Sequence, residues 1–179
     1  MATEALKQQR RFLKDVLASV TQGRLLLCNE PDDLPVPLSI DTSGDPIPLS
    51  KEALKAVRVR VSTAALTYGL SLERTQDLMT AASECAMNAV QHAGGGTVRV
   101  YGNSSAVQVW IKDVGKGIEL SNLPRVTLEP GFGTGGGGIG HGFSLMILCC
   151  DRVFLLTGPS GTTVVLEQER TPPEPAWLK

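Results

Sequence analysis

The chain has 179 residues, 42% of them hydrophobic and 20% charged, with a formal net charge of −1. That size and balance fit one globular domain with a small extra element, and near-neutrality excludes bulk attraction to nucleic acid or an anionic membrane. No apolar run approaches the ~18 residues that span a bilayer, and the opening MATEALKQQRRFL lacks an apolar core of leader-peptide length. Four cysteines, at 28, 85, 149 and 150, show no metal-type spacing, so reduced thiols and a cytoplasmic location are expected.

In chain order, residues 4–21 carry Leu6, Leu13, Val16, Leu17 and Val20 at helical spacing, and Gly23 ends that helix. RLLLC, 24–28, reads as a short strand. The stretch EPDDLPVPLSIDTSGDPIPL, with five prolines and four aspartates, reads as an extended connector. A main domain is then expected from Ser50, taken as a helix N-cap, with Leu54, Val57, Val61, Ala64, Ala65 and Tyr68 on one face and Gly69 at the close. Ser71 caps a second helix whose stripe is Leu78, Met79, Ala82, Cys85, Ala86, Ala89, Val90 and Ala93, and the glycines at 94–96 stop it. TVRVYG and AVQVWIKD, joined by NSS, alternate as an antiparallel strand pair. A short helix over 142–150 follows the glycine tract, then a hairpin of RVFLLTG and TTVVLEQE about PSG, and a loose tail. Residues 119–140 show no periodic apolar pattern and few anchors. The order predicts an α+β fold, a two-layer α/β sandwich with a mostly antiparallel sheet covered on one face by helices. The domain boundaries expected are 1–49 for helix and connector, 50–169 for the main domain and 170–179 for the tail.

Three motifs carry chemistry. Alternation puts Asp113 in phase with Val107, Val109 and Ile111, so a carboxylate ends a core-facing row and requires a partner. Gly115 and Gly117 follow it in DVGKGI, a pattern also expected of an ordinary Asp-initiated turn. Glu84 and Asn88 stand four apart on the polar face of the second helix, close enough to act on one ligand or to form a solvated face. The tract GFGTGGGGIGHG runs into a helix N-terminus, an arrangement suited to phosphate. No GK[ST] follows and no strand leads directly into the tract, which rules out a Walker loop and a dinucleotide fingerprint.

Taken in order, E-x-x-x-N-A, D-x-G-x-G-I, the glycine-rich loop before a helix and G-T on the last strand resemble the GHKL (Bergerat-fold) ATPase/kinase superfamily. RTQDLMTAASECAMNAVQHAG and GHGFSLMILCCDRV are similar to the bacterial anti-sigma-factor serine/threonine kinases and related switch kinases, a likeness covering about residues 50–169. The resemblance implies that Asp113 accepts a hydrogen bond from the adenine amino group, with Gly115 and Gly117 letting base and sugar approach. It implies Asn88 as a ligand of Mg²⁺, Glu84 as general base, and Thr162 near the adenine. Gly131 to Gly142, including Gly138 and Gly140, would be the ATP lid. His141 departs from the pattern, which has Leu or Met there.

The implied function is an ATP- and Mg²⁺-dependent protein serine/threonine kinase in partner-switching signalling, acting on a small STAS-domain anti-anti-sigma-type protein. A sigma factor or a phosphatase is a further partner the resemblance allows, and it leaves monomer and homodimer open. The alternative is a non-catalytic ATP-binding regulator that sequesters a partner such as a sigma factor. No nucleic acid or membrane is implied as a partner.

Overall fold

The computed structural model describes residues 3–38, 40–41, 44–130 and 142–179. One mixed sheet of seven strands organises them, in the order β1 (Leu25–Cys28), β6 (Arg152–Gly158), β7 (Gly161–Glu169), β5 (Ala106–Lys112), β4 (Thr97–Gly102) and β2 (Ile40–Asp41). The two-residue β3 (Ile47–Pro48) also pairs with β4. Every pairing is antiparallel except β1 with β6. The helices are α1 (Glu4–Val20), α2 (Leu54–Thr67), α3 (Leu72–Ala93), α4 (Leu123–Leu128) and α5 (Gly142–Cys149).

The core forms between the helices and one face of the sheet. Val98, Val100, Val107, Val109, Ile111, Val153, Leu155, Val164 and Leu166 alternate onto that face, and they join Val57, Val61, Leu78, Ala82, Ala86 and Met146 in one buried cluster. The α+β sandwich expected from the sequence is what forms. Ser71 accepts the Arg74 N–H as an N-cap, and Gly94 ends α3 in the left-handed conformation.

Several local expectations are corrected. Ser50 does not cap α2; its hydroxyl accepts the Ala53 N–H in a preceding turn, and the helix starts at Leu54. In α1 only Leu13 and Leu17 are buried, while Leu6 and Val20 face solvent, because β1 is short and gives the helix a small footing. Residues 119–130 are anchored: Leu123 and Thr127 are buried in α4, and Leu120 and Val126 pack on the core. A six-residue helix begun by a 3₁₀ turn is too short to show a helical period.

The segment before residue 50 is woven into the sheet. It supplies the edge strand β1 beside β6 and the short β2 and β3 beside β4, at the opposite edge. The connector from Cys28 to Ile40 must therefore cross five inter-strand steps, ~24 Å at the usual spacing, which its extended proline-rich chain spans with ease. It crosses the face away from the helices. The Leu38 N–H donates to Gln108 Oε1, and Gln108 points opposite to Val107 and Val109. Gln108 is only 1% exposed, and it also accepts from Trp110 Nε1 and donates to Glu167. The connector is a strap over the second face of the sheet.

Candidate functional site

The site builds on the ends of three neighbouring strands. Register places Thr157 opposite Thr162 across β6 and β7, and the Asp113 N–H donates to the Thr162 carbonyl just past the end of β5. Asp113, Thr162 and Thr157 therefore form one transverse row, in phase with the core-facing residues. Asp113 Oδ1 accepts from the Gly115 N–H at 2.9 Å and the Thr162 N–H at 3.1 Å. These bonds hold the carboxylate in place and occupy one of its two oxygens. Among the described residues no cation pairs with Asp113 and no donor bonds Oδ2. A carboxylate held this way presents a free acceptor.

The loop after Asp113 packs without room for side chains. A Cβ on Gly115 would lie 2.6 Å from the Ala93 Cβ, so the loop rests directly on the C-terminal end of α3. Gly117 has φ +74°, and a Cβ there would sit 2.2 Å from the Gly158 carbonyl oxygen. Only glycine permits these approaches. Ile118, next in the chain, donates its N–H to Thr157 Oγ1 at 2.8 Å.

Contact with α3 brings the second motif to the first. Glu84 and Asn88 are both half-buried on that helix, one turn apart. Neither makes a hydrogen bond or ion pair with the described residues. Cys85, between them in sequence, is buried, and its thiol is pushed far up, first by burial and then by the Asp113 carboxylate. The third motif arrives at Asn88: a Cβ on Gly142, the first residue of α5, would lie 3.5 Å from Asn88 Nδ2.

The structure thus gathers Glu84, Asn88, Asp113, Gly115, Gly117, Gly142 and Thr162 around one corner between α3, α5 and the strand ends. Gly138 and Gly140, with His141 and the rest of 131–141, lie outside the described residues. Thr157 and Ile118 were not singled out from the sequence. Thr157 lies five residues before Thr162, and pairing the two hairpin strands about PSG would have placed them opposite each other. A cavity of about 400 Å³ at these strand ends lies on the strap side, where Arg10, Pro31, Leu34, Lys112, Leu156 and Thr163 line it together with Asp113 and Thr157; it takes in none of Glu84, Asn88, Gly115, Gly117, Gly142 and Thr162. A larger groove follows the outer side of α2 from Glu52 to Tyr68 and contains none of the site residues. The row of Asp113, Thr162 and Thr157 faces α3 instead, in phase with the core-facing Ile111, Val164 and Leu155.

A mostly antiparallel sheet backed by helices, with a free carboxylate oxygen over a glycine turn and a polar helix face opposite, is a two-layer sandwich of the GHKL nucleotide-binding type. The family described as the histidine kinase-like ATPase domain matches residues 47–167. The chain belongs to that family. No curated protein matches it. Among solved structures, the RsbU and RsbW domains of Rv1364c from Mycobacterium tuberculosis align at 18% identity with a TM-score of 0.48, covering 69% of this chain and 32% of that one. This chain spans about a third of that protein, and a likeness so shallow adds nothing on activity or partners. Among the described residues no helix is long and apolar enough to cross a membrane.

Proposed function

We propose that the chain binds ATP with Mg²⁺ and is a protein serine/threonine kinase of bacterial partner-switching signalling, phosphorylating a small STAS-domain antagonist. The observation that carries the nucleotide part is Asp113: its Oδ1 is held by two backbone N–H groups, while its Oδ2 has no donor among the described residues. An exocyclic amine satisfies that oxygen, whereas the acceptor oxygen of guanine at the same position would oppose it. The residues also fit the rest of a nucleotide. Gly115 and Gly117 keep the floor bare, and Gly142 stands beside Asn88 at the start of α5, where a helix N-terminus favours phosphate.

Each side chain then has a defined task. Asp113 orients the base. Asn88 offers a neutral oxygen of the kind an octahedral Mg²⁺ accepts alongside water and phosphate; the ion, when bound, neutralises phosphate charge. Glu84 makes no hydrogen bond or ion pair among the described residues, and its carboxylate would take the proton from an incoming serine or threonine hydroxyl. Catalysis of this kind rests on positioning and charge neutralisation, which suits a site built on rigid strand ends and a 22-residue helix.

The test is incubation with labelled ATP and candidate STAS proteins from the same genome, beside calorimetry of the nucleotide alone. Asp113→Asn should weaken ATP binding by about 10- to 150-fold, the 1.5–3 kcal/mol of a hydrogen bond to a charged group. Equal affinity for ATP and GTP would refute the Asp113 assignment. Nucleotide binding without transfer to any partner, together with a tight complex that forms without ATP, would replace the kinase by the sequestering regulator.

A further inference from the structure

The row Asp113–Thr162–Thr157 contains two hydroxyls whose protons have few places to go. Thr157 is 3% exposed. Its Oγ1 lies 2.8 Å from the Ile118 nitrogen and 2.9 Å from Thr162 Oγ1. Its other bond is made by its carbonyl, which accepts from Arg10 at 3.4 Å. The Ile118 N–H can only donate, so Thr157 Oγ1 accepts there. Among the described residues the one acceptor within reach of the Thr157 proton is Thr162 Oγ1. The opposite polarity, with Thr162 donating to Thr157, would leave a buried O–H without an acceptor, which is unfavourable. The chain therefore runs from Ile118 N–H to Thr157 O–H to Thr162 O–H. The Thr162 proton is left over, and it belongs to the residue whose backbone N–H already holds Asp113 Oδ1.

We propose that Thr157 is a specificity-determining positioning residue. Its buried hydroxyl fixes the direction of this chain, so that Thr162 presents a donor next to the free acceptor of Asp113. A donor beside an acceptor matches the edge of adenine, whose ring nitrogen N1 accepts while its 6-amino group donates. Hypoxanthine and guanine carry the reverse pair, an oxygen that accepts and an N1–H that donates. The inference rests on the nucleotide reading of the site and adds to it a residue that touches no ligand.

The experiment compares ATP with ITP, which differ at that edge alone, by calorimetry on the full chain. Thr157→Val keeps the shape and removes the hydroxyl, freeing Thr162 to accept as well as donate. The ATP-to-ITP affinity ratio should fall about tenfold, the loss of one hydrogen bond's worth of discrimination, and Thr157→Ser should restore it. A merely structural role would weaken both nucleotides together; an unchanged ratio in Thr157→Val therefore overturns the proposal. Should the valine variant fail to fold, the unmodified chain supplies the second measurement. Slow hydrogen exchange at the Ile118 amide supports the chain of bonds, and exchange at an unprotected rate overturns it. Failure of the nucleotide reading looks different: the unmodified chain would bind neither ATP nor ITP.

Discussion

A mostly buried ion pair joins the elements that carry the site, and removing one partner tests whether it is as consequential as its burial implies. Arg74, in the first turn of α3, pairs with Asp151 between α5 and β6. Their side chains are 15% and 8% exposed. The guanidinium also donates to the Glu169 carbonyl at 2.9 and 2.7 Å, and Asp151 Oδ2 accepts the Glu169 N–H at 2.7 Å. Gln168, fully buried, closes the ring by accepting the Asp151 N–H and donating to the Cys149 carbonyl. Asp151→Ala would leave a buried guanidinium without its counter-charge, which costs about 3–5 kcal/mol. Such a loss is a large fraction of the ~5–15 kcal/mol that holds a domain together. At about 2–4 °C per kcal/mol for a chain of this size, the midpoint should fall by roughly 6–20 °C. Urea and thermal unfolding of Asp151→Ala, Arg74→Ala and the double variant supply the assay. The two single losses should exceed the double loss by about 2–3 kcal/mol, as expected of directly coupled neighbours. A single loss below ~1 kcal/mol, the range of an exposed surface pair, would refute the claim that this pair secures α3 to β7.

Three further outcomes are expected. Glu84→Gln should keep ATP affinity and lower phosphotransfer by about 10²–10⁴-fold, whereas Asn88→Ala should lower Mg²⁺-dependent binding and transfer together; wild-type transfer by Glu84→Gln would remove the carboxylate as the base. Gly117→Ala forces a Cβ against the Gly158 carbonyl at a left-handed φ, so the loop must shift and ATP binding should weaken even where the variant stays folded; calorimetry with unchanged affinity would contradict the close approach. Asp33 is held below its ordinary pKa chiefly by the Asn29 N–H, with Lys14 contributing. Its stabilisation of the strap is therefore complete above the unfolded carboxyl value and lost as pH falls through the lower folded one, so urea titrations between about pH 5 and 2 should show a steeper loss for wild type than for Asp33→Asn, and parallel curves would refute it.

The elements legible in the sequence are those whose pattern is local. The period-two rows of β4 to β7, the stripe of α3 and its Ser71 and Gly94 caps all follow from neighbours within one or two turns. Asp113 was legible for the same reason, because alternation alone puts its carboxylate at the end of an apolar row. What escaped depends on distant pairing. The parallel partnership of β1 with β6 joins residues 25–28 to 153–156, and nothing within RLLLC announces it. The strap reads as a polar, proline-rich linker, yet a sheet whose two edges it connects obliges it to cross a face. Thr157 resembles any threonine of a strand until hairpin register sets it beside Thr162 and the turn after Gly117 brings the Ile118 N–H to its hydroxyl. The two motifs on α3 and β5 could be named separately, but their meeting rests on the Gly115–Ala93 contact, a property of the fold.

The segment ahead of the matched span bears on the site through the β6–β7 hairpin. Without β1, strand β6 would be an open edge, and Leu25 and Leu27, both fully buried, would leave a gap beside Val153 and Leu155. The same segment also touches the turn that closes the site. Arg10 of α1 bonds the Thr157 carbonyl, and Pro31 and Leu34 of the strap share a cavity wall with Gly158, Ser160 and Gly161. Gly158 is the residue against which Gly117 packs, and Thr157 is the acceptor for Ile118. The N-terminal segment thus borders the two contacts that shape the loop after Asp113. Residues 3–38 therefore belong to the architecture of the site even though none of its proposed ligand-binding side chains comes from them.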